Sequence, residues 1–175
     1  MHISHLFTGG ARSGKSRLAQ AWAESQPGPW HYVATARDPG PADPEMARRI
    51  ARHRQERGPG WITHETEEPA AILANLLRGA AIIDCLTLWL TALGERHAWD
   101  DHRILAEVDA LAMILRHPPI PVAVITNEVG SGIVPAHPLA RQFQDLQGWT
   151  NQRIAAACGP VHLVVCGRQT ILSAH

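Results

Sequence analysis

Eight residues near the amino terminus, Gly9-Gly10-Ala11-Arg12-Ser13-Gly14-Lys15-Ser16, satisfy the spacing G-x-x-x-x-G-K-S. They follow a short apolar run, Ile3 to Phe7, and precede a stretch of helical character beginning at Lys15. A strand that turns on glycines into a helix is the context in which this spacing forms a phosphate loop. Successive backbone N–H groups and the helix terminus then make an anion cradle, Lys15 reaches the terminal phosphates, and the Ser16 hydroxyl ligates magnesium. A bare glycine-rich turn carrying an exposed lysine explains the spacing but not its setting.

The rest of the chain alternates in the way such a loop requires. Apolar, β-branched runs predict strands at Ile3 to Phe7, Tyr32 to Thr35, Ala81 to Asp84, Val122 to Thr126 and Val161 to Cys166. Trp61 to His64 and the tail after Thr170 suit short edge strands. Helices are predicted over Lys15 to Glu24, Pro44 to Arg57, Pro69 to Arg78, Leu86 to Leu93, Asp101 to Arg116 and Leu139 to Ala157, several opened by Pro or Asp. Strands covered on both faces are continuously apolar, as Val-Ala-Val-Ile is. The expectation is an α/β, three-layer P-loop fold of the RecA-like kind, with a mostly parallel sheet flanked by helices. The loops at 26–29, 38–44, 58–60 and 117–121 are too short for linkers, so residues 1–175 are expected to form one nucleotide-binding domain.

Composition removes several classes of function. The 175 residues carry a formal net charge of zero with dispersed basic residues, which leaves no electrostatic footprint for nucleic acid. The longest apolar stretch, Ala80 to Leu93, is interrupted by Asp84 and is too short to span a bilayer, so no transmembrane segment is expected. The start of the chain lacks a secretory signal pattern, and a cytoplasmic enzyme is expected. Cys85, Cys158 and Cys166 have no metal spacing and sit in apolar runs, which predicts buried, reduced thiols.

A phosphate loop needs a second, metal-directed acid at the end of a neighbouring strand. Asp84 has that placement, although an Asp before Leu86 also suits a helix N-cap. Asn127-Glu128 lies at another carboxyl edge, where open parallel sheets bind ligands. Gly130 and Gly132 there suit either close backbone approach to a ligand or a plain turn. The segment Glu45 to Arg57 is unusual in bringing a histidine among guanidiniums: Arg49, His53 and Arg57 are spaced by four and share one helix face. Cations beside an imidazole favour its neutral, nucleophilic form and also bind a phosphate that it attacks. From local chemistry alone, a surface histidine fits the same segment.

Taken in order, Thr8 to Arg17, Tyr32-Val-Ala-Thr-Ala36, the Glu45 to Arg57 block, Trp61-Ile-Thr-His-Glu65, Asp84-Cys-Leu-Thr-Leu-Trp89, Thr126 to Pro135, Leu139 to Asp145 and Gly148 to Ala155 resemble the bifunctional adenosylcobinamide kinase / adenosylcobinamide-phosphate guanylyltransferase family. The resemblance runs through nearly the whole chain, and the His53 and Asn127 to Pro135 blocks are its specific parts. It implies phosphorylation of the corrinoid adenosylcobinamide by ATP or GTP, then transfer of GMP from GTP through a guanylyl-histidine at His53. It implies nucleotide contacts from Gly9, Gly10, Ala11, Arg12, Ser13, Gly14, Lys15 and Ser16, from Ala34, Thr35 and Ala36, from Arg54, Gln55, Glu56 and Arg57, and from Glu65 and Asp84. For the kinase step, Lys15, Ser16 and Mg2+ are expected to stabilise charge on the transferring phosphoryl group, while Asp84 holds the metal with Ser16 or orients the attacking hydroxyl. A homotrimer is also implied. The Asp38 to Pro44 insert is richer in Pro and Gly than the family pattern. Gly167-Arg168-Gln169-Thr170 lacks the Gly-Ile/Leu-Pro pattern of many relatives, which is expected to bear on the sheet edge more than on chemistry.

Two other functions use the same loop. A small-molecule kinase shares Lys15, Ser16 and Asp84 but has no use for a covalent His53 adduct. A nucleotide-switched binding or motor protein needs appended partner surfaces that this short, neutral chain lacks.

Overall fold

The computed structural model describes residues 2–36 and 42–173, and within residues 44–57 it leaves the side chains of Met46, Arg49, His53 and Glu56 undescribed. The Pro-Gly-rich insert therefore lies largely outside the described residues. The order is β1 (Ser4–Thr8), α1 (Lys15–Glu24), β2 (Trp30–Ala34), α2 (Pro44–Arg57), β3 (Trp61–Glu65), α3 (Pro69–Ala74), β4 (Ala80–Asp84), α4 (Leu86–Arg96), α5 (Asp101–Arg116), β5 (Val122–Ile125), α6 (Pro138–Ala157), β6 (Val161–Val165) and β7 (Arg168–Leu172). One seven-stranded sheet runs β3-β2-β4-β5-β1-β6-β7. All its pairings are parallel except the final β6–β7 hairpin.

Alternation along the strands divides the core in two. Leu6, Ile83 and Val124 point into a cluster closed by Leu73 of α3, Ile104, Val108 and Leu111 of α5, and Leu146 and Ile154 of α6. Their chain neighbours Phe7, Ile82, Ala123 and Ile125 meet Ala19 and Ala23 of α1 on the opposite face. Helices thus cover both faces, as the continuously apolar strands predict.

Helix α1 and helix α2 occupy the predicted spans, and α5 is capped by Asp100, whose side chain accepts from the Arg103 amide at 3.1 Å. Helix α3 is shorter than expected, ending at Ala74 rather than Arg78. The reason is tertiary: Gly79 has φ +95°, and a Cβ there would lie 1.8 Å from the Pro29 carbonyl oxygen. The chain must turn there to enter β4. Cys85 is buried as expected, but Cys166 is exposed, because it sits in the β6–β7 turn with φ 52° and not within the strand.

Two imidazole pairs cross between neighbouring parallel strands: His5 Nδ1 to His162 Nε2 and His31 Nδ1 to His64 Nε2, each 3.0 Å. Burial and then the facing imidazole lower His5 to about 4, and burial lowers His31 and His162 as well. An imidazole kept neutral in the fold is protonated first in the unfolded chain, near 6.5, so acid favours unfolding. Stability is therefore expected to fall as pH drops from about 6.5 toward 4. Urea midpoints measured across that window should show this loss, and His5→Phe, which keeps a ring against Trp22, should flatten it. An unchanged slope in the variant would remove His5 from the account.

Candidate active site

The phosphate loop is shaped by backbone contacts that only glycine permits. A Cβ on Gly9 would stand 2.2 Å from the Val164 carbonyl oxygen of β6. Gly14 adopts φ +97° as the α1 N-cap, so no side chain caps the helix and its first N–H groups point into the loop. The loop is braced on both sides: the Glu128 amide donates to the Gly9 carbonyl at 3.2 Å, and the Gly167 amide donates to the Ser13 carbonyl at 2.8 Å. The second contact corrects one expectation. The divergent carboxyl-terminal turn bears directly on the phosphate loop, not merely on the sheet edge.

Inside the loop, Lys15 is buried and its Nζ donates to the Gly10 carbonyl at 3.1 Å. The hydroxyls of Ser13 and Thr8 are buried with no hydrogen-bond partner among the described residues. Buried polar atoms are rarely left unpaired, and oxygens of a bound phosphate are the partners this loop geometry suits. Gly9→Ala is accordingly expected to cost about 1–3 kcal/mol of stability, by driving a methyl group into β6. It should also weaken GTP binding. Denaturant unfolding and nucleotide titration of the variant check both effects.

Asp84 closes β4, but β4 is not adjacent to the phosphate-loop strand; β5 lies between them, so the acid stands on the next strand but one. Nor does Asp84 cap α4, whose N-cap is Cys85 with no side-chain bond. Its Oδ2 instead accepts from the Tyr32 hydroxyl at 2.6 Å. Burial, and then the Asp84 charge, raise the Tyr32 phenol well above its ordinary value, which keeps it a proton donor. The Arg57 guanidinium lies 3.6 Å over the Tyr32 ring. Gly14, Ser16, Tyr32, Arg57 and Asp84 all line one cavity of about 520 Å³, together with Arg12. Beside it, Cys85 is pushed up to about 12 by burial and by the neighbouring Asp84 charge, so its thiol stays protonated and inert.

A second cavity, about 490 Å³, lies at the carboxyl ends of β2 and β3 and is lined by Thr35, Ala36 and Glu65 with Glu67, Glu68 and Arg96. The Thr35 hydroxyl donates to the Cys85 carbonyl at 2.8 Å, and Arg96 donates to Glu67 at 2.7 Å, which holds that wall in place. Arg54 of α2 pairs with Glu65 of β3. Ala34 ends β2 beside them, Gln55 is exposed on α2, and the side chains of His53 and Glu56 lie outside the described residues. Positions 49, 53 and 57 do fall on one continuous helix. Of the residues named from sequence, Arg12, Gly14, Ser16, Arg57 and Asp84 line the first cavity and Thr35, Ala36 and Glu65 the second.

The segment after β5 is held by a polar network. Asn127 donates to the Thr87 hydroxyl from its amide at 3.2 Å and from its side chain at 3.0 Å. Asn151 donates to the Asn127 carbonyl at 3.1 Å, and the buried Gln147 donates to Asn151 at 2.9 Å. Gly132 has open space where a Cβ would be, and Gly130 has only the Glu128 carboxylate at 3.8 Å, so neither is a point of tight packing.

Among the described residues no cluster of three His, Cys, Asp or Glu side chains exists to cage a metal. Magnesium fits such a site, because it takes few protein oxygens and keeps its remaining positions for water and phosphate. Ser16 and Asp84, which face one cavity, are the residues suited to hold it.

A phosphate loop at the carboxyl edge of a parallel sheet, with an acid on the next strand but one, defines a P-loop protein of the RecA-like arrangement. The model of the family described as cobinamide kinase / cobinamide phosphate guanyltransferase matches residues 5–172, and the chain belongs to that family. It is 42% identical over 167 residues to the bifunctional adenosylcobalamin biosynthesis protein CobP of Pseudomonas aeruginosa, covering 93% of this chain and 92% of that protein. It is 41% identical over 176 residues to the bifunctional adenosylcobalamin biosynthesis protein CobU of Salmonella typhimurium, covering 93% and 95% respectively. Among solved structures, a KaiC-like protein from Pyrococcus horikoshii is similar at 14% identity and a TM-score of 0.48, covering 92% of this chain and 70% of that one. That distant likeness adds nothing to the sheet order.

Proposed function

We propose that this chain phosphorylates adenosylcobinamide with ATP or GTP and then transfers GMP from GTP to the new phosphate, giving adenosylcobinamide-GDP. The observation that supports this most is the meeting of Ser16, Asp84 and Arg57 around one cavity at the phosphate loop, in a chain whose family match extends through residue 172. In the kinase half the aminopropanol hydroxyl oxygen bonds to the γ-phosphorus as the bond to the β-phosphate oxygen breaks; a nucleoside diphosphate leaves and the hydroxyl proton passes to solvent. Lys15 and the loop amides stabilise charge on the transferring group, and Asp84 either holds the cation with Ser16 or orients the attacking hydroxyl. Bound magnesium supplies charge neutralisation along the triphosphate.

In the second half a ring nitrogen of His53 bonds to the α-phosphorus of GTP and pyrophosphate departs. A phosphate oxygen of the corrinoid then displaces the imidazole, restoring His53. Arg54, Gln55, Glu56, Arg57, Glu65 and the Ala34 to Ala36 turn complete the nucleotide contacts. The proposal extends to a single functional domain over residues 1–175, working in the cytoplasm as a homotrimer, whose mass sedimentation would measure.

The decisive assay supplies adenosylcobinamide, GTP and magnesium and separates the corrinoids with time. The expected sequence is corrinoid phosphate first and the GDP conjugate after it. The phosphate alone would leave a small-molecule kinase, and neither product would sink the proposal.

A further inference from the structure

Tyr32 has no role in the chemistry just described, yet it lines the phosphate-loop cavity beside Asp84 and Arg57. It lies on β2, paired with β4 in a register that sets Tyr32 beside Ile82 and Ala34 beside Asp84. Residues two apart on a strand share a face, so Tyr32 and Asp84 project to the same side of the sheet, toward α1. From there the phenol spans diagonally to the carboxylate and donates to Oδ2 at 2.6 Å. Its ring is held by Arg57 at 3.6 Å on one face and by an edge contact from Trp61 at 6.2 Å and 81°. Arg57 is the last residue of α2, and Trp61 opens β3.

The terminal torsion of an aspartate is soft and nearly two-fold, so a carboxylate at a strand end does not choose its own orientation. A short charge-assisted bond to one oxygen removes that freedom. Packing does not require the hydroxyl, because phenylalanine fills the same space between Arg57 and Trp61. The hydroxyl is explained by Asp84.

We infer that Tyr32 is a positioning residue for phosphoryl transfer: its hydroxyl fixes the plane of Asp84, commits Oδ2, and leaves Oδ1 to meet the cation held with Ser16. The inference rests on the proposed role of Asp84 at the phosphate loop.

The test is Tyr32→Phe, which keeps the ring and its contacts and removes one oxygen. Two readouts are needed. The first is Mg2+-dependent GTP binding, titrated calorimetrically without corrinoid. The half-saturating Mg2+ concentration should rise about tenfold, the scale of a lost hydrogen bond to a charged group. The second is the kinase reaction at saturating GTP, where kcat should fall about tenfold or more while KM for adenosylcobinamide stays as in the wild type. Raising Mg2+ should recover part of the lost rate. Unchanged Mg2+ demand together with unchanged kcat would overturn the inference. So would a fall in kcat accompanied by a raised KM with no change in Mg2+ demand, which is what a packing role produces. A wild type that binds Mg2+ and GTP but does not phosphorylate adenosylcobinamide would defeat the kinase proposal instead, and the binding titration would still decide the role of Tyr32.

Discussion

Protein carrying His53→Ala is expected to retain no label after incubation with α-labelled GTP and magnesium followed by denaturation, while still phosphorylating adenosylcobinamide. The wild type should hold label in a bond that survives at neutral pH and is lost in acid, the behaviour of a phosphorus–nitrogen linkage. Formation of the GDP conjugate should drop by a factor on the order of 10⁴ or more, the scale of losing a covalent nucleophile. Position 53 lies in α2 between the helix start at Pro44 and Arg57 at its end, the residue lodged against Tyr32. A substitution at this mid-helix position leaves that anchorage and the phosphate loop in place. Label kept by the variant would show that another residue carries the nucleotide.

Lys15→Met is expected to reduce phosphorylation of adenosylcobinamide by a factor on the order of 10²–10³, the usual effect of removing one preorganised charge from a transferring group. Methionine preserves most of the buried length of the lysine while abolishing the ammonium and its bond to the Gly10 carbonyl. A rate loss with little change in melting temperature would thus report the charge rather than the packing. The same variant addresses how the two reactions share their nucleotide. If one triphosphate site serves both, guanylyl-enzyme formation falls along with the kinase rate. If the Thr35–Glu65 cavity receives a nucleotide of its own, the adduct still forms at nearly the wild-type rate.

The sequence made the phosphate loop, the spans of α1, α2 and α5 and the central strands legible because each depends on local chemistry. Glycines at 9 and 14, a proline or aspartate at a helix start and runs of β-branched residues act over a few positions. What escaped depends on contacts across the fold. The early end of α3 follows from Gly79 meeting Pro29, and the exposure of Cys166 from a hairpin turn whose length the apolar run conceals. Asp84 was recognisable as an acid at a strand end, but its strand was expected to adjoin β1, and sheet order is not written in a single segment. Tyr32 stood within a recognised motif without a role, because its partner lies 52 residues away on another strand. The bracing of the phosphate loop by Glu128 and Gly167 runs through backbone atoms, which leave no compositional trace.

The placement of β5 between β1 and β4 acts as a ruler. Strands in a sheet are about 4.8 Å apart, so the backbone of the phosphate-loop strand and that of the Asp84 strand are separated by roughly 10 Å. Had the two strands been neighbours, half that width would separate them. One interposed strand therefore sets the gauge of the gap. Insertions in the surface loops can lengthen or shorten the chain around it, but the distance between the two ends that must face each other across the nucleotide is counted in whole strands and does not drift.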